Sequence, residues 1–257
     1  MDRIEEIKAE IERIAGEENV TIFFACESGS RAWGFESKDS DYDVRFLYFH
    51  PLDWYLSVEE RRDVIERPIN DDLDINGWEL SKALRLLRKS NPPLLEWLQS
   101  PIIYKEEPQA TSALKSLLPT YFSKRNCFYH YLHMAEGNYK EFLKSDMVRV
   151  KKYFYVLRPV LACIWIERFP EPVPMEFGKL VDRIIDDDEL LTDLNDLLDR
   201  KRAGAELDLE PKIESINRFL DTQLALLNEN KQERIDYTDY SELNSVFRMI
   251  VRASKTT

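Results

Sequence analysis

The sequence has few cysteines, and none of them suggests a cross-linked or metal-bound fold. Its three cysteines, Cys26, Cys127 and Cys163, are far apart and odd in number, and no C-x-x-C pair occurs. This spacing argues against a disulfide framework or a thiolate zinc site. The sequence also lacks any run approaching the ~18 apolar residues that cross a bilayer, and it has no apolar signal region near its start. We therefore expect a cytoplasmic protein with no membrane partner.

The sequence also has fewer basic than acidic residues. The 257 residues include 36 Lys and Arg against 48 Asp and Glu, which gives a formal net charge of −12 at pH 7. Nonspecific affinity for nucleic acid comes mainly from cationic side chains on phosphates, so this composition argues against an extended nucleic-acid footprint. It leaves room for nucleic acid held at a local basic surface. The 44% of hydrophobic residues is enough to build packed cores in one or two domains.

Short strand-like runs and helical spacing alternate in the first part of the chain. The isoleucines from Ile4 to Ile14 recur every three or four residues, which predicts a first helix. The predicted strands are residues 20–25, 41–49, 62–69, 72–76 and 102–103. Further predicted helices are a short one within residues 29–34, then residues 78–89 and 93–98.

From about residue 105 onward, only helical spacing is found. The predicted helices there are residues 110–118, 121–143, 147–169, 177–185, 189–202, 211–230 and 240–253. The sequence therefore predicts an α/β (α+β) fold with two domains. A small mixed-sheet core would occupy residues 1–104, and an all-helical domain would occupy residues 105–257.

The residues best suited to chemistry are two aspartates that follow a Gly-Ser pair. Asp41 and Asp43 are two apart at the start of a predicted strand, so their side chains should leave the same face of the sheet. Neighbouring carboxylates repel unless a cation lies between them, and Mg²⁺ prefers hard oxygen ligands. The pair therefore predicts a site for one or two Mg²⁺ (or Mn²⁺) ions.

The Gly-Ser pair supplies the complementary half of this predicted site. Gly29 has no Cβ, so the backbone there can approach a ligand closely. If a helix begins here, its N–H groups and the hydroxyl of Ser30 are suited to hold a triphosphate. Arg31 comes next, and two roles are open to it: steadying a phosphate, or covering the surface of a short helix.

Gly29-Ser30 followed, after a short helix, by Asp41-x-Asp43 resembles the signature of the DNA polymerase β-like nucleotidyltransferase superfamily. A narrower resemblance is to the bacterial RNA repair pathway DNA polymerase beta family, and it spans most of residues 20–175. The matching segments are residues 29–34, 41–45, 51–55, 74–78 and 152–159. The resemblance implies that both aspartates bind two metal ions, one beside the acceptor and one beside the β- and γ-phosphates.

The resemblance also calls for a third acid on a neighbouring strand. Asp72 and Asp74 point to the same face of the predicted strand. We prefer Asp74 because it lies between two apolar strand residues, whereas Asp72 borders the turn-like residues Asn70 and Asp71. By resemblance, Asp74 joins the metal nearer the acceptor and helps to take the acceptor's proton.

A segment in the second half of the chain interleaves cations with aromatic residues. Lys151, Tyr155 and Arg158 are spaced to fall on one helical face, and Lys152 adjoins them. Because this segment matches the family, we assign these residues to the nucleoside triphosphate, with cations on its oxygens and an aromatic ring on its base. The alternative is an ordinary exposed stripe whose tyrosines seal the core.

The sequence thus predicts a Mg²⁺-dependent nucleotidyltransferase. It would move a nucleoside monophosphate from a nucleoside triphosphate to a hydroxyl acceptor and release pyrophosphate. The acceptor is left open among an RNA end, a small molecule and a protein, and the residues do not indicate an oligomeric state. The alternative is a non-catalytic nucleotide-binding or antitoxin-like regulatory protein on the same fold. The presence of all three acids argues against that alternative.

Overall fold

The computed structural model describes residues 2–69, 72–204, 209–230 and 239–253, so Asn70 and Asp71 lie outside the described residues. The described residues group into two compact units. The first comprises those within 1–32, 41–122 and 236–257, and the second those within 33–40 and 123–235. The predicted division into domains at residues 1–104 and 105–257 stays a prediction.

Strands and helices alternate up to residue 106, and helices dominate the chain after it. The strands are β1 (Thr21–Glu27), β2 (Tyr42–Phe49), β3 (Val64–Glu66), β4 (Leu73–Glu79), β5 (Ile103–Glu106), β6 (Met147–Arg149) and β7 (Leu209–Pro211). The helices are α1 (Arg3–Glu17), α2 (Gly29–Trp33), α3 (Leu52–Tyr55), α4 (Leu80–Arg88), α5 (Pro92–Trp97), α6 (Pro108–Lys115), α7 (Leu118–Tyr121), α8 (Lys124–Phe142), α9 (Tyr153–Arg168), α10 (Phe177–Ile184), α11 (Asp188–Arg202), α12 (Glu214–Glu229) and α13 (Ser241–Ala253).

The first unit is built on a five-stranded mixed sheet with the order β3-β4-β2-β1-β5. Strands β2 and β4 run parallel, and the other neighbouring pairs are antiparallel. Strand β1 is apolar along almost its whole length because it lies at the interior of the sheet and is covered on both faces. The predicted fold class, a small mixed sheet accompanied by helices, is confirmed.

Two hydrophobic clusters cover the two faces of this sheet. On one face the buried isoleucine stripe of α1 (Ile7, Ile11 and Ile14) packs with side chains of β1, β2 and β4. On the other face, residues of α4, α5, α6 and α13 pack over β1 and β2. The sheet therefore holds the backbone of β2 and β4 rigidly along their length, and their starts carry the acidic side chains.

The second unit is helical and is centred on α9. Thirteen of the sixteen residues of α9 are buried, so this helix is apolar around nearly its whole circumference, as expected of a helix enclosed by others. The aromatic residue Phe35, from the segment 33–40, stacks on Phe154 of α9 with ring centroids 4.5 Å apart. No helix among the described residues is long and apolar enough to cross a membrane.

The structure corrects the expectation that the second half is all helical. The sequence predicts a helix from residue 147, but residues 147–149 form β6 and pair antiparallel with β7, and α9 begins at Tyr153. Pro211 likewise ends β7, and α12 begins only at Glu214. In β6 only Val148 is buried, between two exposed neighbours. In a strand of three residues, the alternation of buried and exposed side chains cannot be told from helical spacing. The strand that pairs with β6 also lies about 60 residues away in the chain, so the sequence near β6 does not indicate it.

Candidate active site

Asp43 and Asp74 lie side by side on the two parallel strands of the sheet. Asp43 is the second residue of β2, Asp74 is the second residue of β4, and the two are register partners. The residues that follow each of them, Val44 and Ile75, are buried on the α1 face, so the two carboxylates leave the opposite face. The structure therefore brings these two predicted site residues together.

The guanidinium of Arg45 joins the two carboxylates. Its Nη2 donates to Asp43 Oδ1 at 2.9 Å and to Asp74 Oδ2 at 2.7 Å. Its Nη1 donates to the backbone carbonyl oxygens of Val44 at 3.1 Å and of Asp74 at 3.0 Å. The side chain of Arg45 is only 14% exposed, against 28% for Asp43 and 31% for Asp74. A half-buried pair of carboxylates is thus held by one fixed positive charge.

Gly29 packs against the carboxylate of Asp43 with no room for a side chain. Its φ is +57°, and a Cβ built there would lie 1.9 Å from Asp43 Oδ2. The backbone N–H of Ser28 donates to the carbonyl oxygen of Asp43 at 2.8 Å. The Ser30 side chain is half-buried and makes no hydrogen bond with the part of the chain that the structure describes. The Gly-Ser pair and the second aspartate therefore form one continuous surface.

Glu27 supports Asp43 from the opposite side of the backbone. It is fully buried, and its Oε1 accepts a hydrogen bond from the backbone N–H of Asp43 at 2.7 Å. Its Oε2 accepts a hydrogen bond from the hydroxyl of Tyr104 on β5. Burial raises the pKa of Glu27, and the hydrogen bonds from Tyr104 and Asp43 oppose that rise.

The electrostatics of the site link all three predicted acids. Burial is the main cause that raises the pKa of Asp43, and the negative charges of Asp74 and Asp41 raise it further. The positive charge of Arg45 acts against this rise. Neighbouring carboxylates that raise the pKa of Asp43 favour a bound cation, because a cation relieves the repulsion.

Asp41 is the least fixed of the three acids. It is exposed and lies just before the first residue of β2, whereas the sequence predicts it inside the strand. Its carbonyl oxygen accepts a hydrogen bond from Arg31 Nε at 3.2 Å, and the Arg31 guanidinium lies 3.8 Å from the ring centroid of Tyr42. Among the described residues, no group of three or more His, Cys, Asp or Glu side chains is arranged to hold a metal ion. Asp41 thus lies near the other two acids without completing a coordination set.

The competing acid Asp72 is engaged elsewhere. Its carboxylate forms a salt bridge with Arg3 of α1. Its backbone carbonyl accepts a hydrogen bond from the N–H of Tyr42 at 2.7 Å. Because Asp74 is the register partner of Asp43 and Asp72 pairs with Arg3, the geometry favours Asp74 as the third acid.

The cationic and aromatic residues of the second unit do not share one exposed face. Lys151 is exposed in a 3₁₀ turn before α9, and Tyr155 is 47% exposed. The ammonium of Lys152 lies 4.7 Å from the ring centroid of Tyr155. Arg158 is only 1% exposed; its Nη2 donates to the carbonyl oxygens of residues 174 and 175, and it lies over the ring of Trp33. Tyr155 also lies against Trp33, with ring centroids 6.1 Å apart, so Tyr155 and Arg158 do lie on one side of α9. The expectation of an exposed cationic face is wrong for Arg158, because that side chain is buried, and Lys151 lies outside α9 in the preceding turn.

Three residues of the site did not emerge from the sequence: Glu27, Arg45 and Tyr104. Arg45 could have been predicted from the sequence, because it follows Asp43 by two residues and must share its face of the strand. Glu27 and Tyr104 gave no local signal. Their contact joins positions 77 apart in the chain, and both residues lie just beyond the ends of the strands predicted over residues 20–25 and 102–103.

The sheet, the paired acids and the glycine beneath them are features of a DNA polymerase β-like nucleotidyltransferase scaffold. The family comparison agrees: the chain belongs to the RNA repair pathway DNA polymerase beta family, whose model matches residues 4–249. This membership supports nucleotidyl transfer as the general class of function.

The chain is also similar to individual proteins. The uncharacterised protein YcgL of Bacillus subtilis (strain 168) is 50% identical over 239 residues, which is 91% of each chain. A nucleotidyltransferase-like protein from Exiguobacterium sibiricum 255-15, known from a crystal structure, is 14% identical with a TM-score of 0.32. That match covers 96% of this chain and 92% of the other, but a TM-score this low supports no conclusion about this chain.

Proposed function

We propose that this protein is a divalent-metal-dependent nucleotidyltransferase that moves a nucleoside monophosphate from a nucleoside triphosphate to a hydroxyl acceptor. The observation that carries the proposal is the register pairing of Asp43 with Asp74, with the backbone of Gly29 packed against the first carboxylate. The absence of a Cβ lets the backbone of the Gly-Ser pair lie against the acids, so a phosphate held by that backbone would be close to them. The family's description names RNA repair, so an RNA end is one acceptor class to test, beside a small molecule and a protein.

The donor set suits Mg²⁺ or Mn²⁺. Asp43 and Asp74 offer hard oxygens and already share a cationic group, the guanidinium of Arg45, which stands in for a metal ion between them. Asp41 would complete the set. When bound, a divalent ion neutralises phosphate charge and lowers the pKa of the acceptor hydroxyl.

In the proposed reaction the acceptor oxygen bonds to the α-phosphorus in line with the leaving group. The bond from that phosphorus to the oxygen bridging to the β-phosphorus breaks, and pyrophosphate leaves with the electron pair. Asp74 takes the acceptor's proton. Gly29 and Ser30 hold the triphosphate, with Arg31 beside them, so that the α-phosphorus faces the acids. Lys151, Lys152 and Tyr155 are proposed to contact the nucleotide, whereas Arg158 is buried and bonded to backbone carbonyl oxygens.

The test is transfer of label from each α-labelled nucleoside triphosphate in the presence of a cell extract, followed by identification of what becomes labelled. Pyrophosphate release is measured in parallel. Asp43→Asn should lower both signals by at least ~100-fold. The matched control is Asp63→Asn, since Asp63 also pairs with cations, Lys82 at 2.9 Å and Arg85 at 3.0 Å, away from the site. Full activity in Asp43→Asn would contradict the proposal.

The alternative is a non-catalytic nucleotide-binding or antitoxin-like regulatory protein on this fold. One observation favours it: among the described residues the acids form no ready metal set, and Arg45 lies between two of them. Isothermal titration with ATP and Mg²⁺ separates the two functions. Binding without pyrophosphate release on any acceptor fraction would favour the regulatory function.

A further inference from the structure

Arg45 occupies the place where a cation shared by Asp43 and Asp74 would lie. Its four contacts are all to oxygen atoms, two carboxylate and two carbonyl, and they reach both β2 and β4 at 2.7 to 3.1 Å. Carboxylates and carbonyls are also the ligands that a divalent ion takes in proteins. The guanidinium therefore competes for the same oxygens as a metal ion.

We propose that Arg45 serves as the permanent cation on the acceptor side of the site, so that the protein binds a single divalent ion. This inference rests on the proposed function. Asp74 is the acid that distinguishes the acceptor side from the triphosphate side, and its Oδ2 is bonded to Arg45. The remaining ion is held by Asp41 and Asp43 together with the triphosphate.

Burial and charge explain why the guanidinium stays in place. Arg45 is the least exposed member of the trio, and arginine keeps its charge at every accessible pH. Removing one partner of a partly buried ion pair leaves an uncompensated charge, which is strongly unfavourable. Here two carboxylates would be left facing each other. A second metal would have to displace a neutralising group that is covalently attached to the strand.

Arg45 also supplies what a cation contributes to transfer at this position. Its fixed positive charge lies next to Asp43 and Asp74 and offsets the charge of the two carboxylates. The same charge stabilises negative charge that develops nearby in the transition state. Bond making and breaking are unchanged from the reaction above, and no additional reactant is required.

The variants are Arg45→Ala, which opens the position, and Arg45→Lys, which keeps a point charge in it. Arg67→Ala is the matched control, because Arg67 also bridges two carboxylates. Its Nη1 lies 2.7 Å from Glu18 Oε1 and its Nη2 lies 3.1 Å from Glu17 Oε2, on the surface of the same unit. All three variants are first compared with the wild type by circular dichroism and thermal unfolding.

The measurement is the number of Mn²⁺ ions bound per chain, counted by electron paramagnetic resonance during titration with Mn²⁺ alone. We expect Arg45→Ala to bind one ion more than the wild type, and Arg45→Lys and Arg67→Ala to match the wild type. Anomalous diffraction from Mn²⁺-soaked crystals should place the extra ion between Asp43 and Asp74. Mn²⁺ should also raise the melting temperature of Arg45→Ala more than that of Arg67→Ala.

Two results would overturn the inference: wild-type protein with an ion between Asp43 and Asp74 and Arg45 turned away, or folded Arg45→Ala that gains no ion. Wild-type pyrophosphate release is measured on the same samples. Release together with either result defeats the single-ion inference and leaves nucleotidyl transfer standing. No release with any triphosphate and acceptor fraction, and no bound Mn²⁺, defeats the proposed function itself.

Discussion

The backbone of Gly29 lies directly against the carboxylate of Asp43, so the two sequence motifs of the site are in physical contact. A Cβ at position 29 would come within 1.9 Å of Asp43 Oδ2, and the φ of +57° is one that side chains disfavour. Gly29 and Asp43 are separated in the sequence, and the fold brings them into contact.

Gly29→Ala is expected to abolish transfer and to destabilise the fold. Backbone strain alone costs about 1 kcal/mol, and the collision with Asp43 adds to it. Gly34→Ala is the control, since Gly34 also has a positive φ of +85° but a Cβ added there would meet nothing within 4 Å. Urea unfolding of both variants measures the difference. Equal losses of unfolding free energy in the two variants would show that the Asp43 side chain moves aside from the added Cβ at no energetic cost.

Asp74→Asn and Asp72→Asn should separate the two acids of the β4 region. Asp74→Asn is expected to lower pyrophosphate release by at least ~100-fold, because the side chain paired with Asp43 loses its charge. Asp72→Asn removes only a salt bridge to Arg3 and should keep activity within a few-fold. A large loss in Asp72→Asn with retained activity in Asp74→Asn would reverse the assignment.

Glu27 and Tyr104 should be energetically coupled. Glu27→Gln places an amide where two donors now meet a carboxylate, and Tyr104→Phe removes one of those donors. Each change should cost about 1–3 kcal/mol of unfolding free energy. In a double-mutant cycle the combined loss should fall short of the sum by about 1 kcal/mol or more. Strict additivity would mean that the buried hydrogen bond contributes nothing specific.

His50 should make the protein less stable in mild acid. Its ring stacks on Trp54 with centroids 3.9 Å apart, and burial, followed by the charge of Arg61, lowers its pKa from 6.5 to about 4. Between these two values the unfolded chain binds the proton more readily than the folded chain does. The contribution of neutral His50 to the free energy of unfolding is therefore full above pH 6.5. It declines as the pH falls and is lost below about pH 4.

His50→Phe should remove this dependence while keeping a ring against Trp54. The difference in unfolding free energy between variant and wild type should change by about 1–3 kcal/mol from pH 7 to pH 4. Chemical denaturation at several pH values measures it, with His133→Gln on the surface of α8 as the control. A difference that stays constant with pH would contradict the prediction.

Lys151 and Arg158 should behave differently when replaced. Arg158 is buried and bonded to carbonyl oxygens, so Arg158→Met is expected to cost about 2–4 kcal/mol of unfolding free energy. Lys151 is exposed, so Lys151→Ala should leave stability within about 0.5 kcal/mol and weaken nucleotide binding. Thermal unfolding and nucleotide titration of both variants distinguish the roles. Unchanged nucleotide affinity in Lys151→Ala would show that Lys151 is an ordinary surface residue without a role in binding.

The sequence predicted the parts of the fold that repeat a pattern over many residues. The isoleucine stripe of α1 and the apolar run of β1 are long enough to specify their period, and both elements are found. The strand predicted over residues 62–69 shrinks to Val64–Glu66, and the helix predicted from residue 78 begins at Leu80. Glu79 explains the second shift, because its side chain caps the helix and its backbone ends the strand.

Contacts between segments that are far apart in the chain could not be predicted from the sequence. The β6–β7 pair and the Glu27–Tyr104 bond each join segments far apart in the chain, and neither leaves a local trace. The segment 33–40 is similar: it connects the Gly-Ser helix to the Asp41 region, yet it belongs to the second unit. Only folding of the whole chain assigns it there.

The core of the first unit includes Leu243, Ile250 and Val251, which follow every described residue of the second unit in the chain. During synthesis on a ribosome, the sheet would emerge long before the helix that covers part of it. The apolar surface of the strands that this helix covers then stays exposed until translation has passed residue 251. Slowly translated or truncated chains should accordingly be prone to aggregate or to be captured by chaperones.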